Sequence, residues 1–206
     1  MKKVALPIIV ALVLWFVMFS PWTAPHLNFW VTMALSGVIL TTMSLTLGGG
    51  VLKTLKSSFR WSDVPLGVSI GAALWALFWV GDKVAGWMFP FAEGEIGSIY
   101  SMRDGTSYLL IGALLLFVVG PAEEIFWRGF VQEECSKRWS PTVGFIITTA
   151  IYALAHIWAM NFMLIAAAAV AGGAWGLLYR LYPQRLWALI ISHAVWDVAV
   201  FLVFPI

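Results

Sequence analysis

The sequence holds 206 residues, 62% of them hydrophobic and only 11% charged, with 13 Trp and 14 Phe. That is too apolar for a water-soluble domain of this length and describes an all-α polytopic membrane bundle, with membrane lipid as its first partner. A formal net charge of +2 argues against nucleic acid and makes the 12 Lys and Arg signals of topology rather than a binding patch.

A spanning helix needs about 20 mostly apolar residues. The chain divides into about seven such stretches, at residues 4–20, 29–52, 64–81, 107–130, 142–159, 162–180 and 186–205. The first follows Met1-Lys2-Lys3. Its apolar run slightly exceeds the roughly 7 to 15 residues of a signal sequence, and Pro25 after Ala24 makes cleavage awkward, so an uncleaved helix is expected and a signal peptide is the alternative. Breaks are expected at Ser20-Pro21, over Lys53 to Asp63, over Asp82 to Thr106, at Ser140-Pro141, near Asn161 and at Tyr182-Pro183. No linker or repeat divides the chain, so residues 1–206 read as one membrane domain.

With Lys2 and Lys3 inside, alternation brings Lys53, Lys56, Arg60, Arg128, Lys137, Arg138, Arg180 and Arg185 inside as well, ten of the twelve basic residues. The chain is expected to be N-in and C-out in the cytoplasmic membrane. The outer 82–106 loop carries Trp87, Phe89, Phe91 and Tyr100, which read as an interfacial belt or a short surface helix. His26 falls in an outer loop as an exposed residue. Cys135, the one cysteine, sits among Glu133, Glu134, Lys137 and Arg138 and reads as a free thiol without a catalytic role.

Ionisable residues inside these spans are the informative exception, because each costs on the order of 3 kcal/mol unless it faces a partner or a wet cavity. Glu124 and Arg128 are four apart and share a helical face, so they pair and fix geometry, whereas Glu123 is turned about 100° away. Set among Phe126, Trp127 and Phe130 without a cation, Glu123 is the better general base. His193 with Asp197 and Tyr152 with His156 repeat the spacing of four. A carboxylate orients or charges an imidazole, and a tyrosine hydroxyl donates to a ring nitrogen or an oxyanion. A hairpin turning near Trp139-Ser140 brings Glu123 and His156 to one height. Counting from Arg128 and Arg185 puts the centre on the order of 10 Å below the cytoplasmic surface.

Glu123-Glu124-Ile-Phe-Trp-Arg128, Tyr152-Ala-Leu-Ala-His156 and His193-Ala-Val-Trp-Asp197 resemble, in order, the EExxxR, FxxxH and HxxxN/D motifs of the CAAX-protease and bacteriocin-processing family, also called the Abi family. The helix Gly173-Ala-Trp-Gly176-Leu-Leu-Tyr179-Arg180 is similar to the family's glycine-rich helix; here Gly172, Gly173 and Gly176 read as close-packing positions. The resemblance covers a core of about residues 107–200. It implies that Glu123, with His156, activates water, that Glu124 and Arg128 support the site, and that His193 and Asp197 serve the oxyanion. Tyr152 stands where the family usually has Phe, and Asp197 where Asn is commoner. An ionised Asp cannot donate, so Asp197 is expected to orient His193.

Glu123, Glu124, His156 and His193 are also the ligand types of a catalytic zinc site, but HExxH is absent. A cofactor-free glutamate-and-water mechanism is favoured, and zinc held by Glu123, His156 and His193 is the alternative. The expected function is an intramembrane endopeptidase acting on membrane-associated proteins or peptides in a cavity open to the cytoplasm. The alternative is a non-catalytic immunity or scaffold protein on the same fold.

Overall fold

The computed structural model describes residues 2–206; Met1 and the side chain of Lys2, on which part of the N-in reading rests, lie outside the described residues. Nine helices carry the described chain: α1 Lys2–Phe19, α2 Phe29–Leu47, α3 Val51–Ser57, α4 Asp63–Met88, α5 Ala92–Ser101, α6 Tyr108–Arg138, α7 Pro141–Ala155, α8 Phe162–Leu181 and α9 Leu186–Val198. A 3-10 turn, His156–Ala159, continues α7, and a π turn, Ala199–Val203, continues α9. Six helices (α2, α4, α6, α7, α8 and α9 with its flanking turns) are long and apolar enough to cross a membrane, and α1 is a shorter apolar helix beside them. The expected count of about seven is therefore near.

Caps set several boundaries. The side chains of Asn28, Ser140 and Asn161 accept the N–H groups of Val31, Val143 and Leu164, starting α2, α7 and α8, with Pro141 at the first position of α7. Three expected bounds shift. The 29–52 stretch ends at Leu47, because Gly48-Gly49-Gly50 favours a break before the lysines, and α3 starts anew. The break at Asp82 does not occur: Asp82 and Lys83 pair at 2.9 Å on the helix and α4 runs to Met88, where the approach to Pro90 ends it. The fourth span likewise continues past residue 130 to Arg138.

Within α6 the ladder changes register. Pro121 has no N–H to donate, and π segments flank it at Leu115–Val119 and Glu124–Gln132, so Glu123 closes a short α-helical piece while Glu124 to Arg128 lie in a wider coil.

Glycines let the helices cross closely. A Cβ on Gly67 would come within 2.7 Å of the Ala188 carbonyl oxygen, and one on Gly120 within 2.8 Å of the Ala194 backbone, so α9 lies tight against both α4 and α6. Helices α6 and α7 form the expected antiparallel hairpin, with α8 packed along α7, α2 against α6, and α1 against α2 and the end of α7. Cys135 is buried in the main core rather than displayed among its charged neighbours, and His26 is exposed as expected.

The bundle has two distinct ends. At one, Arg185 pairs with Asp63 at 2.8 Å and the Trp187 indole donates to the Leu55 carbonyl. At the other, α5 is strapped across the helix ends. The Glu95 carboxylate accepts the Met163 N–H at 2.9 Å, Asn161 donates to the Glu95 carbonyl, and Arg103 donates to the Phe201 carbonyl at 2.8 Å. Within the 82–106 stretch a short helix does form at Ala92–Ser101, but of its four aromatics only Tyr100 lies on it: Trp87 belongs to α4, and Phe89 and Phe91 lie in the link between the two helices.

Candidate active site

Glu123, Tyr152, His156, His193 and Asp197, from three different helices, line one cavity of about 440 Å³. Its remaining walls are mostly apolar side chains of α1, α2, α4, α5, α8 and α9.

Glu123 is 8% exposed, and its Oε2 accepts the Tyr152 hydroxyl at 2.7 Å. No cation pairs with it among the described residues. The Tyr-for-Phe departure thus has a structural use: the hydroxyl fixes one carboxylate oxygen. Tyr152→Phe keeps the ring, and removing a hydrogen bond of about 1 kcal/mol should lower kcat about fivefold with KM nearly unchanged. Steady-state kinetics of the variant checks this; an equal rise in KM would mean that the hydroxyl serves binding instead.

Glu124 is fully buried, and its Oε1 accepts from both Arg128 and His193 Nδ1, each at 2.8 Å. Arg128 donates with a second nitrogen to the Gly172 carbonyl at 3.1 Å and lies over the Tyr152 and Trp175 rings. Gly172 allows this approach, since a Cβ there would fall 2.6 Å from the Tyr152 ring. The pair spacing read from the sequence survives the π register.

His193 stacks on Trp175, centroids 3.8 Å apart and planes at 17°, and Trp175 in turn donates to Ser192 at 3.1 Å. The ring is therefore held from its face and from Nδ1. Its Nε2 is 3.6 Å from Asp197 Oδ1, beyond a direct hydrogen bond, so in this arrangement Glu124 orients the ring more directly than Asp197 does.

His156 has both nitrogens engaged. The Trp15 indole N–H donates to Nε2 at 3.1 Å, which puts the neutral ring's proton on Nδ1, donating to the Tyr152 carbonyl at 2.9 Å. This bears on zinc. A zinc ligand must offer a free lone pair, and His156 offers none while Trp15 occupies Nε2, whereas Glu123 Oε1 and His193 Nε2 keep theirs, so the three-residue set is short of one ligand. Among the described residues no group of three His, Cys, Asp or Glu is arranged to hold an ion. The side chains as arranged do not fit zinc.

The depth expected from the sequence is corrected. Arg128 is 1% exposed, so it marks the interior and not a membrane surface. Glu123 lies fifteen residues before Arg138 and His156 fifteen after Pro141. At 1.5 Å per residue both are about 22 Å from the hairpin turn. His156 follows the last regular residue of α7, Ala155, and opens the 3-10 turn that continues the helix. The cavity continues from there past Asp82, Ile99 and Tyr100 toward α5, away from the end that carries most of the basic residues, and not toward it.

Sequence reasoning missed Trp15 and the stacking role of Trp175. Trp15 lies in an apolar run 141 residues from its partner and carries no local signal. Trp175 stands inside the glycine-rich helix, where the adjoining glycines announced close packing.

Residues 105–199 match a family model described as Rce1-like, type II CAAX prenyl endopeptidase Rce1-like. That span contains all five cavity-lining residues named above and Arg128. No curated protein and no solved structure matches the chain.

Proposed function

We propose, on the premise that residues 105–199 belong to the Rce1-like type II CAAX prenyl endopeptidase family, that this multi-pass membrane protein hydrolyses peptide bonds of membrane-associated polypeptides with water activated by Glu123. The observation that carries the reading is a buried carboxylate with no paired cation among the described residues, pinned through one oxygen by Tyr152, in the wall of a chamber shared with two histidines. A general base needs a free lone pair to accept the water's proton, a fixed direction and surroundings that exclude bulk solvent; Glu123 Oε1 is free, Tyr152 fixes the carboxylate through Oε2, and the residue is buried.

In the proposed reaction Glu123 takes the proton of the attacking water as the water oxygen bonds to the carbonyl carbon. The carbonyl oxygen becomes an oxyanion facing His193 Nε2, which donates to it when protonated. Glu124 and Arg128 hold His193 in place through Nδ1. Asp197, near Nε2, stabilises the charged ring. Glu123 then returns its proton to the leaving amine as the C–N bond breaks, and the products are a carboxylate and an amine. His156 acts beside Glu123 once the Trp15 indole releases its Nε2; until then it is a hydrogen-bonded wall residue.

The test is cleavage of a fluorogenic apolar peptide set by the purified protein in lipid nanodiscs. Wild-type cleavage abolished by Glu123→Gln and lowered by His156→Ala supports the reading, and unchanged cleavage in both variants sinks it. Because the donor set does not fit zinc as arranged, EDTA or 1,10-phenanthroline is expected to leave the wild-type rate within about twofold; a loss of more than tenfold, reversed by added zinc, would replace the cofactor-free mechanism.

A further inference from the structure

Charge divides the bundle along its long axis. Lys3, Lys53, Lys56, Arg60, Lys137, Arg138, Arg180 and Arg185 lie at the end that holds α3 and the α6–α7 turn. The opposite end, among the described residues, has Lys83 and Arg103 beside Asp82, Glu93, Glu95 and Asp104. Excess Lys and Arg marks the cytoplasmic ends of membrane helices, and acidic residues contribute little to orientation. The α3 end is therefore cytoplasmic by this rule.

The chamber reaches the other end. Its walls include Asp82 and Ala85 near the close of α4, Ile96, Ile99 and Tyr100 of α5, and Ile206 beyond α9. Toward the basic end, the space behind Glu123 is filled by Arg128, Phe130, Gln132 and Leu186, each 1% exposed or less. Gln132 is further locked by donating to the Gly176 carbonyl at 2.7 Å. A substrate arriving from the basic end meets packed side chains, while one arriving beneath α5 meets an apolar chamber.

We infer that the chamber opens on the side of the membrane away from the cytoplasm, and that its substrates are membrane-associated polypeptides presenting an apolar cleavage segment from that side. The substrate half rests on the endopeptidase reading; the direction of access does not. Mouth and walls agree in chemistry, since the aliphatic and aromatic lining from α2, α5 and α8 suits apolar side chains next to the bond.

Cysteine labelling tests the direction without any cleavage. In a Cys135→Ser background, Gly97→Cys places a thiol on exposed α5, where an added Cβ meets nothing within 4 Å, and Thr142→Cys places one on the exposed start of α7 at the basic end. Ile99→Cys lies in the chamber wall. In intact cells of a bacterial expression host, a membrane-impermeant maleimide should label Gly97→Cys and leave Thr142→Cys unlabelled until the cells are permeabilised. A small cationic methanethiosulfonate should reach Ile99→Cys from outside. The reverse pattern, labelling of both ends in intact cells, or an Ile99→Cys thiol that reacts only after permeabilisation overturns the inference. Should the serine background reduce membrane insertion, the same cysteines in the wild-type background serve, because Cys135 is buried and wild type alone gives the blank. Inactive Glu123→Gln with inward labelling would keep the protease and lose this inference; outward labelling with fully active Glu123→Gln would do the opposite.

Discussion

Glu123→Gln is expected to lower kcat for peptide hydrolysis by at least about 100-fold, the contribution usual for a positioned general base, while the protein stays folded. The substitution keeps the volume of the side chain, and the Gln carbonyl oxygen still accepts the Tyr152 hydroxyl that now meets Oε2 at 2.7 Å. What is lost is the lone pair that takes a proton from water. The neighbouring Glu124 cannot replace it, since its Oε1 already serves Arg128 and His193 and the residue is fully buried. Kinetics on the purified variant, with its SDS-denaturation midpoint measured beside wild type, separates chemistry from folding. A variant that retains more than a tenth of wild-type kcat would remove Glu123 from the role of base.

The two carboxylates differ in a way that the sequence could already express and in a way that it could not. Adjacent glutamates on any helix point in different directions, and only Glu124 has a cation at the right spacing, so their division of labour follows from the spacing to Arg128. The same reasoning, that an ionisable group in a lipid-soluble helix needs a partner or a wet cavity, selected His156, His193 and Asp197. Partners at long sequence distance are different. Trp15 reaches His156 and Trp175 stacks on His193 because α1 and α8 pack where they do, and hydropathy is blind to which helices become neighbours.

Depth was misread for a related reason. Counting residues from a basic side chain assumes that the side chain sits at the membrane surface. Arg185 does lie toward the basic end, 27% of its side chain exposed and paired with Asp63, but Arg128 is enclosed by Glu124, the Gly172 carbonyl and two aromatic rings. The register change around Pro121 has the same character. Proline announces a disturbed ladder, but whether the helix breaks, kinks or widens into π turns depends on what α9 and α2 press against it.

Arg128→Ala is expected to be the most destabilising single substitution at the site, by about 3 to 5 kcal/mol, the range found when one member of a buried ion pair is removed. Side-chain exposure of the pair is 2% for Arg128 and 0% for Glu124, so no solvent reaches the carboxylate left behind. The change also frees the Gly172 carbonyl and empties the space between the Tyr152 and Trp175 rings, loosening α8 from α6 and α7. His193 still donates to Glu124 Oε1, which holds the loss to a finite value and transfers the strain to the proposed oxyanion donor. SDS denaturation in mixed micelles should show the lower midpoint. A cycle with Glu124→Gln supplies the decisive control: because the neutral amide no longer strands a charge, Arg128→Ala should be milder by at least about 1 kcal/mol in the Gln background. Equal losses in both backgrounds would mean that Arg128 acts through packing alone and that its charge is not what fastens the helix bearing the candidate base to the helix behind it.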